Sequence, residues 1–199
     1  MMWDLMSGPY DLFENIYNGK VYKGLGERVA REIEKKDIVL ECACGTGAIT
    51  KRIATNCKKL LATDLSTGML KRVKKKCRGL NNVTIKRADI MNLGFKDGCF
   101  DKVVAGNVIH LLDDPQAAIK ELVRVCKKGG KVIIPTYINI QNGKERTMVK
   151  FIELLGVNFK KEFYFESYKQ FFKDAGYENV AFDVIEGKMP CAVAIITKE

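Results

Sequence analysis

The 199-residue sequence predicts an α/β fold, a doubly wound and mostly parallel seven-stranded sheet that ends in an antiparallel hairpin. Three observations carry this. Short apolar runs alternate with helix-length amphipathic segments, the pattern of repeated strand-helix-strand units. The first apolar run breaks on glycines just before a helix start. The last two runs follow each other with only Gly187-Lys188-Met189-Pro190 between them, a turn and not a crossover.

The elements follow in order. VARE and its neighbours, Glu27 to Lys35, predict a helix that ends before Asp37. Asp37 to Glu41 reads as a short buried strand, broken by Gly45 and Gly47 ahead of the helical AITKRIATN. KLLATDL is the second strand, STGMLKRVKKKC a helix that Ser66 or Thr67 can cap, and NVTIKRAD the third strand. CFDKVVAGN is the fourth. Asp113 and Asp114 before Pro115 start the helix QAAIKELVRVCKKGG, which is expected to stop on its glycine pair. KVIIPTYI, the helix Ser167 to Gly176, and the runs YENVAFDVIEG and CAVAIITKE complete the chain. Ligands of such a sheet are expected at the carboxyl ends of the strands, where the strand order reverses.

A hydrophobic fraction of 47% with 29% charged residues suits a globular domain, and no apolar run approaches the ~20 residues of a membrane span. MMWDLMSGPYDLFENIY has no basic start and no apolar core, so a signal peptide is not expected and the protein reads as cytoplasmic. Seven cysteines form no CxxC, and His110 is the single histidine, so reduced thiols and no metal site are expected. The net charge of +10, densest in LKRVKKKCRG from Leu70 to Gly79, raises a nucleic-acid partner. The competing reading is a solvated helix face, because the run has no interleaved aromatics on which bases could stack.

The chemistry is concentrated in VLECACGTGAIT, Val39 to Thr50. A Gly45-Thr46-Gly47 turn entering a helix lets backbone approach a ligand and presents free N–H groups. A dinucleotide fingerprint would need a glycine where Thr50 stands, and Asp64 would serve the ribose of any adenosine cofactor. Glu41 separates the readings, since a carboxylate there is awkward beside a pyrophosphate and useful beside a cationic amino-acid group.

At these residues the chain resembles the class I S-adenosylmethionine-dependent methyltransferases, whose first motif reads acid-x-Gly-x-Gly-x-Gly. Here it stands as Glu41-Cys42-Ala43-Cys44-Gly45-Thr46-Gly47, with Ala43 replacing the first glycine and the cysteines on variable positions. The resemblance runs from about residue 37 to 135 through TDLSTGML, KRADIMNL, CFDKVVAGNVIHLLDDP and LVRVCKKGGKVII. It implies a Rossmann-like fold and an S-adenosylmethionine site of Glu41, Ala43, Gly45, Thr46, Gly47, Asp64, Leu65, Met69, Asp89, Ile90 and Asn107. Asp64 would take the ribose hydroxyls, and Asp89 with Ile90 would meet the adenine.

Nucleic-acid amine methylases resemble one another in a Pro-and-aromatic element after strand four. Here that place reads Gly106-Asn107-Val108-Ile109-His110, so the chain looks closer to the small-molecule branch that includes quinone, phospholipid-headgroup, thiol and natural-product methyltransferases. An RNA-binding or RNA-methylating protein and an NAD-dependent oxidoreductase remain the alternatives. The expected layout is a helical cap (1–36), a cofactor core (37–135), a substrate-lid insertion (136–166) and a C-terminal helix and hairpin (167–199). Tyr10, Phe13, Tyr17 and Tyr22 are candidate acceptor-binding residues, and His110, with an imidazole expected to titrate near neutrality, is the candidate general base.

Overall fold

The computed structural model describes Asp4, residues 19–139 and residues 160–199. Among these, seven strands form one sheet: β1 (Ile38–Cys42), β2 (Lys59–Asp64), β3 (Val83–Arg87), β4 (Phe100–Ala105), β5 (Cys126–Tyr137), β6 (Val180–Ile185) and β7 (Cys191–Thr197). Their order is β3-β2-β1-β4-β5-β7-β6, and β7 alone runs opposite in direction to the other six. Adjacent β1 and β4 head opposite halves of the sheet, which makes their carboxyl ends the expected crevice.

Side-chain alternation assigns the two faces. Val39, Leu60, Val104, Ile133, Val193 and Ile195 point into one core with helix α1 (Gly19–Ala30) and the single-turn helix α2 (Thr50–Ala54). Ala62, one step further along β2 on that same face, packs on Val73 of α3 (Thr67–Lys76). Leu40, Val103, Val132, Ile134 and Ala194 point the other way, onto α4 (Pro115–Val125) and α5 (Phe165–Asp174). Both faces are thus buried, which explains why the strands read as continuous apolar runs and not as alternating ones.

Local chemistry sets the helix starts. The Ser66 hydroxyl accepts from Met69 N at 3.2 Å, and the Asp114 carboxylate accepts from Ala117 N at 2.9 Å with Pro115 at the first helical position. The aromatic face of α5 closes its side of the sheet: Tyr168 donates to the Ile134 carbonyl at 2.5 Å and stacks edge-on against Phe163 and Phe172.

Three expectations need correction. The first described helix is Gly19–Ala30 and not Glu27 to Lys35, because Val21, Leu25 and Val29 form its buried stripe at four-residue spacing. The second is confined to Thr50–Ala54, since residues 45–49 are spent on turns. Gly129 and Gly130 do not end a helix. The α4 helix stops at Val125, and the glycines lie inside β5, where a Cβ on Gly130 would sit 2.7 Å from the Asp101 carbonyl oxygen. That pair permits a close backbone approach beside the register shift between β4 and β5.

No helix among the described residues is long and apolar enough to cross a membrane. All seven cysteines are free thiols, six of them buried.

Candidate active site

One cavity opens at the carboxyl ends of β1, β2, β3 and β4. Its floor is the turn after β1. Ala43 and Gly45 there adopt left-handed φ values of 49° and 56°. Ala43 occupies the position at which the resemblance expects glycine, and its backbone conformation is one that glycine takes without strain. Gly47 is also left-handed at 86°, yet it turns toward α3, where an added Cβ would meet Val73 at 3.4 Å.

Asp64 ends β2 with both carboxylate oxygens held: Gly45 N donates to Oδ2 at 2.9 Å and Ser66 N to Oδ1 at 2.8 Å. Partial burial pushes its titration upward, and these two amides draw it back. The carboxylate is therefore aimed by the backbone before any ligand arrives.

Glu41 is in a different state. It is 1% exposed, and neither of its oxygens has a hydrogen-bond partner; nor has the Thr50 hydroxyl beside it. Burial pushes its carboxyl up to about 8, the neighbouring Thr50 side chain drawing it part of the way back and the charge of Asp64 adding to the rise. A buried acid without partners is costly unless a ligand supplies a cation or a donor.

Asp89, Ile90, Leu65 and Met69 complete the wall after β3 and along α3, with Asp89 held open by Met91 N donating to its Oδ1 at 2.9 Å. After β4 the wall continues through Gly106, Asn107, Val108, Leu111 and Leu112. Asn107 is left-handed at φ 52°, its N–H donating to the Pro135 carbonyl and its Oδ1 accepting from Cys191 Sγ at 3.5 Å. Tyr22 and Leu25 of α1 roof this end.

Of the residues expected at the site, the cavity thus gathers Glu41, Ala43, Gly45, Asp64, Leu65, Met69, Asp89, Ile90, Asn107 and Tyr22. Thr46 and Gly47 stand behind it, the Thr46 hydroxyl accepting from Lys76 Nζ at 3.2 Å. Tyr10, Phe13 and Tyr17 lie outside the described residues, as do residues 140–159 of the expected lid.

His110 requires correction. It lies in the 3₁₀ turn Ile109–Leu111 with its ring 3% exposed, outside the cavity wall, and Nδ1 lies 2.8 Å from the Thr136 hydroxyl. Burial lowers its titration to about 3, so the imidazole is neutral where near-neutral titration was expected. Its carbonyl oxygen accepts from Lys160 N and Lys161 N, pinning the returning chain. Val108 and Leu111 reach the cavity instead, and the three-residue period of a 3₁₀ turn was the signal that could have found them. Cys44, which also lines the cavity, is a buried thiol whose titration burial raises, so it is a neutral wall atom.

Fold and crevice together define a class. Residues 40–134 match the family model described as a methyltransferase domain. The curated relatives narrow this. The chain is similar to the demethylmenaquinone methyltransferases of Staphylococcus saprophyticus (32% identity over 133 residues) and of Staphylococcus aureus (32% over 134). These alignments take in 64% of this chain but only 57% and 55% of the relatives, so the chain spans little more than half their length.

Among solved structures, a possible histamine N-methyltransferase from Thermotoga maritima matches with TM-score 0.78 and 20% identity, over 100% of this chain and 99% of that one. A putative methyltransferase in complex with the Haloferax volcanii Trm112 activator matches with TM-score 0.75 and 14% identity, over 99% and 98%. At these identities the likeness is one of fold.

Proposed function

We propose that this protein transfers the methyl group of S-adenosylmethionine to a small-molecule acceptor, as the spacing of its acids around one crevice suggests. The observation that carries the reading is Glu41, a buried carboxylate with no partner in the same cavity as the backbone-aimed Asp64. The donor set fits the cofactor: a lone acid for an ammonium group, a braced acid for paired ribose hydroxyls, and Asp89 with Ile90 for an adenine.

When bound, S-adenosylmethionine supplies a methyl group on a sulfonium, which needs alignment more than acid-base help. The chain's own work is then to bind and orient. Gly45 leaves the floor low enough for close approach, with nothing within 4 Å of a Cβ built on it. The apolar wall of Val108, Leu111 and Leu112 excludes water from the side after β4. The acceptor is taken to be a small molecule in a cytoplasmic protein, with demethylated quinols first to be tried because of the curated relatives. The N-terminal cap and the insertion after β5 are proposed as its cover.

Titration calorimetry with S-adenosylhomocysteine tests the cofactor reading. Wild type should bind, and Asp64→Ala should lose about tenfold or more of the affinity while keeping its melting transition, since charge-assisted bonds contribute roughly 1.5–3 kcal/mol each. Equal affinity in the variant removes Asp64 from the site. A homocysteine-release assay across quinols, phenols, amines and thiols then tests the acceptor class.

A further inference from the structure

The sheet ends at β3, which pairs with β2 and with no other described strand. Just before it the Asn82 carbonyl accepts from Leu60 N, and just after it Ala88 N donates to the Asp64 carbonyl, so the even-numbered residues of this stretch direct their backbone groups to β2. Alternation then turns the N–H and C=O groups of Val83, Ile85 and Arg87 outward, along the edge of the sheet. Such an edge, with neither proline nor bulge in its five residues, is a template for one more strand.

The ground beside the edge is charged. Lys71, Lys74 and Lys75 of α3, with Arg78 just past it, form one side of a groove whose other side is β3. Their spacing of three and four residues puts them on one helix face, and all four are exposed. Between these cations and the strand runs an apolar floor, where the Val83 and Ile85 side chains pack with Leu70 and Val73. Lys86 points the opposite way, its Nζ lying over the Phe95 ring at 5.1 Å. Among the described residues, the groove shares none of its lining with the cavity at the carboxyl ends of the strands.

We infer that the β3 edge and the groove beside it are a docking site for an extended acidic segment of a partner protein, added to the sheet as one further strand with its alternate acidic side chains against Lys71, Lys74, Lys75 and Arg78. The inference stands apart from the methyltransferase reading. The edge backbone supplies affinity and register, and the cations supply the choice of partner, because every second side chain of an added strand faces the groove. A second copy of this chain is a poor occupant, since pairing β3 with β3 would bring two rows of like charge together. A nucleic acid would meet the cations alone and leave the outward backbone groups to water.

The probe is a fluorescent peptide of about seven residues that alternates glutamate with valine, long enough to pair the five residues of β3. Anisotropy at about 0.15 M salt, where exposed charges are screened beyond about 8 Å, should show binding, and the counterpart that alternates lysine with valine should not bind. Two further peptides carry N-methyl groups on one alternate set of residues or on the other. One set faces β3 and should weaken binding at least about tenfold through the lost hydrogen bonds, whereas the other faces away and should change it by less than about threefold. Lys71→Glu combined with Lys74→Glu should weaken the unmethylated peptide at least about tenfold while the melting transition and S-adenosylhomocysteine affinity stay unchanged.

Equal losses from the two methylation patterns would leave charge attraction without strand addition and overturn the docking site. So would failure of the glutamate peptide to bind, or an undiminished affinity in the lysine variant. Single-stranded RNA of equal charge, or vesicles of anionic phospholipid, held more tightly than the peptide at the same salt would give the groove to a different occupant and overturn it as well.

Discussion

Glu41 and His110 are buried titratable groups whose burial pushes them both toward neutrality, one by keeping a proton and the other by losing it. For Glu41 the folded value of about 8 lies above the ordinary 4.5, so its stabilising contribution is complete below about pH 4.5 and is lost as pH rises toward 8. Within that window the ligand-free protein should lose up to about 1.4 kcal/mol of stability per pH unit, and Glu41→Gln should flatten the dependence. Thermal melts from pH 5 to 8.5 check this; identical slopes in the two proteins would mean that Glu41 is solvated. A cationic ligand at Glu41 must displace its proton, so S-adenosylhomocysteine affinity should rise with pH over the same window in wild type only. For His110 the structure favours a positioning role. His110→Gln, which keeps a group able to bond Thr136, should retain most activity, and the wild-type rate should show no imidazole-like inflection near neutrality. A drop of about 100-fold with cofactor binding intact would restore the general base.

The start of α3 ties a distant part of the chain to the cofactor end. The Asp4 carboxylate accepts from the Ser66 hydroxyl and Gly68 N, both at 2.8 Å, and from the Thr67 hydroxyl at 3.2 Å, which holds its titration down to about 2. Ser66 joins this clamp to Asp64, through its own N–H, and the approach depends on Gly68, where a Cβ would lie 2.9 Å from Asp4 Cα. Asp4→Ala and Gly68→Ala should both weaken S-adenosylhomocysteine binding, and the double variant should match Asp4→Ala, because both changes release the same contact. Calorimetry showing additive losses would assign Gly68 a separate role. The caps of α3 and α4 were legible because capping is a local affair of three or four residues. The Asp4 clamp was not, because it joins residues more than sixty positions apart. Gly129 and Gly130 were misread for a related reason: a glycine pair after an amphipathic helix is a common stop, and only the neighbouring backbone of β4 reveals it as a close approach within a strand.

At the scale of the molecule, the positive charge and the cavity tell different stories. Lys71, Lys74, Lys75 and Arg78 line a surface groove between α3 and edge strand β3, away from a cavity whose described wall is acidic and apolar. Any affinity for RNA should therefore be a screened surface effect. Fluorescence anisotropy should find binding that falls steeply with salt, and Lys71→Glu with Lys74→Glu should abolish it without altering S-adenosylhomocysteine affinity. Salt-resistant RNA binding, or loss of cofactor affinity in that variant, would revive the nucleic-acid alternative. By itself the sequence determined the α/β alternation, the C-terminal hairpin, the glycine turn and the acids at the strand tips. These are signals carried by residue type and short-range spacing, which local backbone sterics and burial translate directly into structure. Tertiary structure alone decided that Thr46 turns from the cavity, that His110 is buried outside the cavity wall, that Glu41 lacks a partner, and that Tyr22 meets Tyr137 from 115 positions away. Those facts depend on which side of a turn a chain faces and on what packs behind it, and such contacts between distant segments leave no periodic trace in the order of residues.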